Sequence, residues 1–457
     1  MKYMSTRGNV RGIPFKDAVM MGLADDGGLL VPEVLPDVRD QLEAWRGLGY
    51  IDFAKALLSY FIEDITPATL DRLIDDAYAS FSEKDVVRLV EVGDVSVLEL
   101  FHGPTLAFKD VALQLLGGLF THILEERGGH LNIVGATSGD TGSAAIAGVR
   151  GRAGIDIFIL FPLGRVSPLQ ELQMTTVPDA NVHCVAIEGS FDDCQSIVKT
   201  VFGDLEFKQA YSLGAVNSVN WARVLAQVVY YGYTSLKFDE APAFCVPTGN
   251  FGNVFAGYVA SRMGFPIQKL VLATNENDIL ARFFNSGEYT RGEVRFTHSP
   301  AMDIQVASNF ERYLFYWFGE DPAKVRAFMD DFSRTGKASI GRRPEDPLFL
   351  ATAVTNGDTE QAIRVVRKQT AYVADPHTSV GLMAASRHPT LRPMVCIGTA
   401  HPAKFPEVVD AVLEPGSAVH PVLEALRGKS ARRTVLPADV AVVKGFIRDR
   451  GRMTSAN

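Results

Sequence analysis

Apolar positions recur at helical spacing in the first part of the chain and at strand-like spacing in the rest. Residues 15–23 predict a short helix, and Asp25-Asp26-Gly27-Gly28 a turn into the strand-like Leu29-Leu30-Val31-Pro32. Residues 50–61 and 70–81 follow the helical period, with Thr66-Pro67 as a helix start. Residues 1–90 therefore predict a mainly helical amino-terminal domain. Beyond Val90, short apolar runs at 95–100, 131–134, 155–161, 182–187, 243–246, 270–273 and 394–397 are bounded by glycine, proline or polar turns. That is the texture of mostly parallel sheet buried on both faces, and an α/β architecture follows. Residues 131–215 read as a small α/β domain inserted into a larger one made of 91–130 and 216–457. The stretch 296–375, with aromatic helices expected at 310–318 and 344–353, is expected to decorate the sheet rather than form it.

Composition narrows the function classes. A chain of 457 residues, 47% hydrophobic and 21% charged, can bury a large core. Its net charge of -8, with no dense basic run, argues against nucleic acid as a partner. Cys184, Cys194, Cys245 and Cys396 show no metal-binding or disulfide spacing, so no metal is expected and a reducing cytoplasm fits. The first residues lack the apolar core of a signal peptide, and no stretch reaches membrane-span length, so no membrane association is expected. Monomer and homodimer both remain open.

Candidate chemistry centres on Phe101-His102-Gly103-Pro104-Thr105-Leu106-Ala107-Phe108-Lys109-Asp110, which precedes an amphipathic run over 111–120. Lys109 stands among apolar and small residues; desolvation favours its free amine, which can condense with a carbonyl compound. The alternative is a lysine that buries its stem and keeps its head wet. Two glycine-rich turns each follow a predicted strand and open a helix: Gly135 to Ser143 and Pro247-Thr248-Gly249-Asn250-Phe251-Gly252-Asn253. Each offers backbone N–H groups to an anion, and each is also ordinary cap and turn chemistry. The second is neither a Walker A loop nor a full dinucleotide fingerprint, and two such loops in one chain favour a phosphorylated small molecule over a nucleotide. Asn217, Ser218 and Arg223 would suit a second phosphate or a carboxylate, against the plainer reading of a helix cap with a surface arginine. In Cys396-Ile397-Gly398-Thr399-Ala400-His401-Pro402-Ala403-Lys404-Phe405 a threonine ends a strand at the edge where open α/β sheets bind ligands; His401 and Lys404 could equally lie at the surface.

These stretches in this order, with Asp375-Pro376-His377-Thr378-Ser379-Val380-Gly381, Tyr3-Met4-Ser5-Thr6-Arg7-Gly8 and Gly22 to Leu29, resemble the threonine synthase family of pyridoxal-phosphate enzymes over nearly the whole chain. The resemblance implies a tryptophan-synthase-β-like fold of two mostly parallel sheets flanked by helices. It implies that Lys109 forms a Schiff base with pyridoxal 5'-phosphate, that Gly249, Asn250, Phe251, Gly252 and Asn253 hold the cofactor phosphate, and that Thr399 meets the pyridine nitrogen. Asp140 stands where many relatives carry an asparagine against the cofactor's phenolic oxygen. Thr137, Ser138 and Thr141 would take the substrate carboxylate, and Asn217, Ser218 and Arg223 its phosphate. The implied substrate is O-phospho-L-homoserine, converted with water to L-threonine and phosphate. Another pyridoxal lyase, such as a serine/threonine dehydratase or a sulfhydrylase, and a non-catalytic relative that binds a phosphorylated ligand are the alternatives.

Overall fold

Two mostly parallel sheets flanked by helices organise the chain in this computed structural model, which describes residues 1–137 and 139–453. The larger sheet has six strands, in the order Phe349–Ala353, Lys269–Thr274, Ala243–Pro247, Met394–Gly398, Val95–Glu99 and Arg88–Val92. Only the last, paired with Val95–Glu99 so that Val90 faces Val97, runs antiparallel. The smaller sheet has five parallel strands, in the order Thr434–Pro437, Val182–Glu188, Ile155–Pro162, Leu131–Ala136 and Leu213–Gly214.

Three sequence expectations need correction. The helix expected over 344–353 is absent; Phe349–Ala353 is an edge strand, in register with Lys269–Thr274 from Leu270 opposite Phe349, so this region forms sheet as well as decorating it. A short Phe-Leu-Ala run suits either element, and only the neighbouring strand decides. Thr434–Pro437, placed by the sequence reading in the larger unit, extends the smaller sheet beside Val182–Glu188. Its residues are only half-buried or exposed, so it carries no continuous apolar run to betray it. The helix after Lys109, expected to be amphipathic over 111–120, runs as Lys109–Arg127 and is buried at every position from Asp110 to Phe120. A helix apolar on all sides belongs inside.

That central helix joins the two sheets. A Cβ on Gly117 would lie 1.9 Å from the carbonyl oxygen of Gly148, and one on Gly148 would lie 2.4 Å from that of Leu113. The helices Lys109–Arg127 and Asp140–Val149 therefore touch backbone to backbone, which any side chain at the crossing would prevent. The amino-terminal region is mainly helical, with Thr66 capping Pro67–Tyr78, and its strands Tyr3–Ser5 and Leu30–Pro32 pair antiparallel. Thr6 and Arg7 then bind Glu311 at 2.6 and 3.0 Å, fastening this region to the helix Phe310–Trp317.

Candidate active site

Three neighbouring parallel strands of the six-stranded sheet, Ala243–Pro247, Met394–Gly398 and Val95–Glu99, end on the same side and so bring three loops together. This is the carboxyl edge where open α/β sheets bind ligands. The loop before Lys109 is stitched to the one after Met394–Gly398: Phe108 N–H donates to Thr399 O at 2.8 Å, His401 N–H to Leu106 O at 3.0 Å, and Ala107 bridges Ala400. Leu106 takes a left-handed φ of 62° inside this lattice. Gly103 has no alternative, because a Cβ there would fall 2.5 Å from that of Asp110. Asp110 in turn accepts from the N–H and hydroxyl of Thr105, at 2.8 and 2.6 Å, and closes the loop.

Lys109 is the first residue of its helix, and its side chain is 12% exposed. Its Nζ lies 3.8 Å from Asp140 Oδ2. Burial lowers its pKa to about 8; Asp140 opposes that shift, Arg223 and Lys404 reinforce it, and Asp110 opposes it more weakly. The snorkelling alternative does not describe such an amine. Burial pushes the Asp140 carboxyl up, but the charges of Lys404, Lys109 and His377 outweigh it and hold the group below the usual carboxylate range. Lys404, left at the surface by one sequence reading, is fully buried and lies 3.2 Å from Asp140 Oδ1.

The turn after Ala243–Pro247 opens the helix Gly252–Arg262. Phe251 caps it at φ 65°, a costly conformation for a residue with a side chain. Stacking of its buried ring on Phe284 and Phe349 over-determines that conformation. A Cβ on Gly249 would come within 2.9 Å of Ala301 O, so the loop backbone lies against its neighbour with no room for a side chain. Asn250 is exposed, and its carbonyl accepts from Asn309 N and Nδ2 at 3.0 and 3.1 Å. Asn253 Oδ1 accepts from Tyr230 and Tyr231 at 2.6 and 2.8 Å, while its Nδ2 is buried without a partner. The Thr399 hydroxyl is buried and equally unpartnered. Buried polar atoms without partners are uncommon and ask for a ligand or water.

Arg223 is 3% exposed, so it is not a surface arginine. Its Nη1 donates to Val216 O at 2.9 Å, its Nε has no partner, and burial pushes its pKa down to about 10. Ser218 Oγ lies 3.0 Å from Ser308 Oγ and accepts from Asn309 Nδ2 at 3.3 Å, so Asn309 ties this cluster to the Asn250 turn. Asn217 is exposed. On the smaller sheet, Thr137 Oγ1 accepts from the N–H groups of Gly139 and Gly142 at 3.0 and 2.9 Å, and Thr141 is half-buried in the first turn of the helix Asp140–Val149. Ser138 lies outside the described residues.

The sequence reading gave no role to a supporting layer. Asp375 caps the helix Pro376–Ser386 and binds His377 Nδ1 at 3.0 Å and the Thr378 hydroxyl; the latter oxygen then accepts from Thr399 N–H at 3.1 Å. Gln170 Nε2 donates to Asp140 Oδ1 at 3.2 Å. The available signal was Asp140 itself, since a carboxylate at the buried start of a helix calls for a cation or several donors.

A profile described as threonine synthase N terminus matches residues 2–78, one described as pyridoxal-phosphate dependent enzyme matches 90–331, and one described as threonine synthase, C-terminal, matches 378–447. A Pseudomonas aeruginosa protein named threonine synthase is 44% identical over 463 residues, covering 99% of both chains. The crystal structure of PLP-bound threonine synthase from Brucella melitensis shares 46% identity with a TM-score of 0.95, covering 99% of this chain and 100% of that one. Yeast threonine synthase shares 41% identity with a TM-score of 0.93 over 98% of each chain.

Proposed function

The chain belongs to the threonine synthase family and is a pyridoxal-phosphate-dependent enzyme, and we propose that it converts O-phospho-L-homoserine and water to L-threonine and phosphate. Arg223 carries the choice of substrate: it is a buried guanidinium with an unpartnered Nε, close enough to Lys109 to lower its pKa, and it is not part of the glycine loop's own sequence. Such a site suits a second anionic group beyond the cofactor's own phosphate. A serine or threonine dehydratase has no substrate phosphate to place there.

The residues fit the cofactor. The N–H groups from Gly249 to Asn253, at the start of an 11-residue helix, and the spare Nδ2 of Asn253 would hold its phosphate. The spare Thr399 hydroxyl would meet the ring nitrogen, and being neutral it would leave that nitrogen unprotonated. Asp140 would face the phenolic oxygen, and Lys109 would supply the anchoring amine. When bound, pyridoxal phosphate delocalises the negative charge that develops on the substrate carbons.

The chain's residues then manage position and protons. Both acceptor positions of the Thr137 hydroxyl are engaged by Gly139 and Gly142, which leaves its hydrogen to donate to the substrate carboxylate, a group to which we also assign Ser138 and Thr141. Arg223, Ser218 and Asn217 bind the substrate phosphate. With a pKa near 8, the Lys109 amine can exchange protons at neutral pH: it would take one from Cα and one from Cβ as phosphate leaves Cγ, return one to Cγ to complete the methyl group, and return one to Cα after water has given its hydroxyl to Cβ and its proton to the released phosphate. The four cysteines, buried and unpaired, suit a reducing cytoplasm, where we place the enzyme. Among the described residues no helix is long and apolar enough to cross a membrane.

The test is to incubate the purified enzyme with O-phospho-L-homoserine and follow phosphate and amino-acid products. Equal amounts of phosphate and L-threonine are expected. Dehydration of serine or threonine, with phosphohomoserine left intact, would overturn the proposal.

A further inference from the structure

Lys404 has no exposed surface, and its three ammonium hydrogens have three acceptors: Thr105 O at 2.8 Å, Gln173 Oε1 at 2.6 Å and Asp140 Oδ1 at 3.2 Å. Two of these are neutral, so Asp140 is its counter-ion. The same Oδ1 accepts from Gln170 Nε2 at 3.2 Å, which leaves Oδ2 turned toward Lys109 at 3.8 Å. One buried carboxylate is thus shared between two lysines. The contact also spans the molecule: Lys404 follows the Thr399 strand end, Thr105 belongs to the Lys109 loop, and Gln170, Gln173 and Asp140 lie on helices following strands of the smaller sheet.

We infer that Lys404 is a positioning residue: by holding one oxygen of Asp140 it aims the other at Lys109 and takes up part of the carboxylate's charge, which keeps Lys109 available as a free amine. The groups facing Lys109 are Asp140 and Asp110, which favour its ammonium form, and Arg223 and Lys404, which oppose it; those facing Asp140 are Lys404, Lys109 and His377. Without Lys404, the carboxylate would belong to Lys109 alone and one opposing charge would be gone. Both changes hold Lys109 protonated and unreactive toward a carbonyl. A purely structural Lys404 would tie the same loops together without moving the titration of Lys109. The inference rests on Lys109 being the cofactor-binding amine.

The test reads that titration directly. The full-length enzyme is stripped of pyridoxal phosphate, shown to reload, and labelled with trace acetic anhydride from pH 6 to 11 while Lys109 acetylation is followed by mass spectrometry. The wild-type midpoint is expected near 8. Lys404→Met, of similar length but uncharged, is expected to raise it by about one unit, leaving roughly tenfold less free amine at pH 7. Lys404→Arg should keep the wild-type midpoint, Asp140→Asn should lower it, and the double variant Lys404→Met with Asp140→Asn should fall between the single ones. An unmoved midpoint in Lys404→Met overturns the inference. If that variant does not fold, an unmoved midpoint in Asp140→Asn overturns it. A wild-type chain that takes up no pyridoxal phosphate on Lys109 overturns instead the reading on which it rests.

Discussion

Phe108 donates its backbone N–H to the carbonyl oxygen of Thr399 at 2.8 Å, so the residue before the reactive lysine hangs from the strand end that carries the spare hydroxyl. The pairing continues through Ala107 with Ala400 and Leu106 with His401. Main chain alone thereby fixes, relative to each other, the two residues proposed as anchor amine and ring-nitrogen partner. Side chains at Thr399 can be exchanged without disturbing that frame.

Thr399→Val keeps shape and branching and removes only a hydroxyl that has no protein partner. Thermal unfolding of the stripped variant should match or exceed that of the wild type, because an unsatisfied buried polar atom is lost. Pyridoxal phosphate titration should show about tenfold weaker binding, the value of roughly one hydrogen bond of about 1.4 kcal/mol. A large fall in stability without loss of cofactor affinity would contradict the role given to this hydroxyl.

The lowered pKa of Lys109 makes a prediction about pH. Below about 8 its amine is increasingly protonated, and only the neutral form attacks the cofactor aldehyde. Reloading of the stripped enzyme, followed by stopped-flow absorbance, should accelerate about tenfold per unit as pH rises toward 8 and level off above it. A rate independent of pH between 6 and 9 would show that Lys109 is not the group that titrates.

Arg223→Ala separates substrate from cofactor. Loss of a buried, charged hydrogen-bond donor of about 2–3 kcal/mol should raise KM for phosphohomoserine roughly a hundredfold, with the cofactor dissociation constant changed less than about threefold. Equal losses in both measurements would move Arg223 to the cofactor's side.

Two glycines give opposite expectations for the same substitution. At Gly249 a Cβ meets main-chain atoms of Ala301 and Met302 at 2.9 and 3.1 Å, so Gly249→Ala must shift the loop, at about 1–3 kcal/mol, and weaken cofactor retention. At Gly445, inside the helix Val440–Arg450, a Cβ meets nothing within 4 Å. Gly445→Ala should therefore stabilise the protein by about 0.5–1 kcal/mol, read as a higher Tm with cofactor affinity unchanged.

Alternation of apolar runs with glycine turns was enough to read the α/β class and most of the buried strands from the chain, and to single out Lys109, both glycine loops and Thr399 as candidates. Each of those signals is local: a buried strand is apolar throughout, and a ligand loop needs glycine and a helix start within a few residues. The sequence alone left open whether Lys109 was buried and whether Arg223 faced solvent, because burial is decided by what packs from elsewhere. Tertiary structure also made Phe349–Ala353 a strand, through a neighbour some eighty residues earlier, and placed Thr434–Pro437 in the smaller sheet. Most of all it joined Asp140 to Lys404. The two are far apart in the chain, and no spacing rule links them; they meet because Gly117 and Gly148 let two helices touch and the strand ending at Gly398 delivers Lys404 beside them. Local pattern determined which residues could do the chemistry, and long-range packing determined the charges they feel, since the field at a buried amine sums over groups from every element around it.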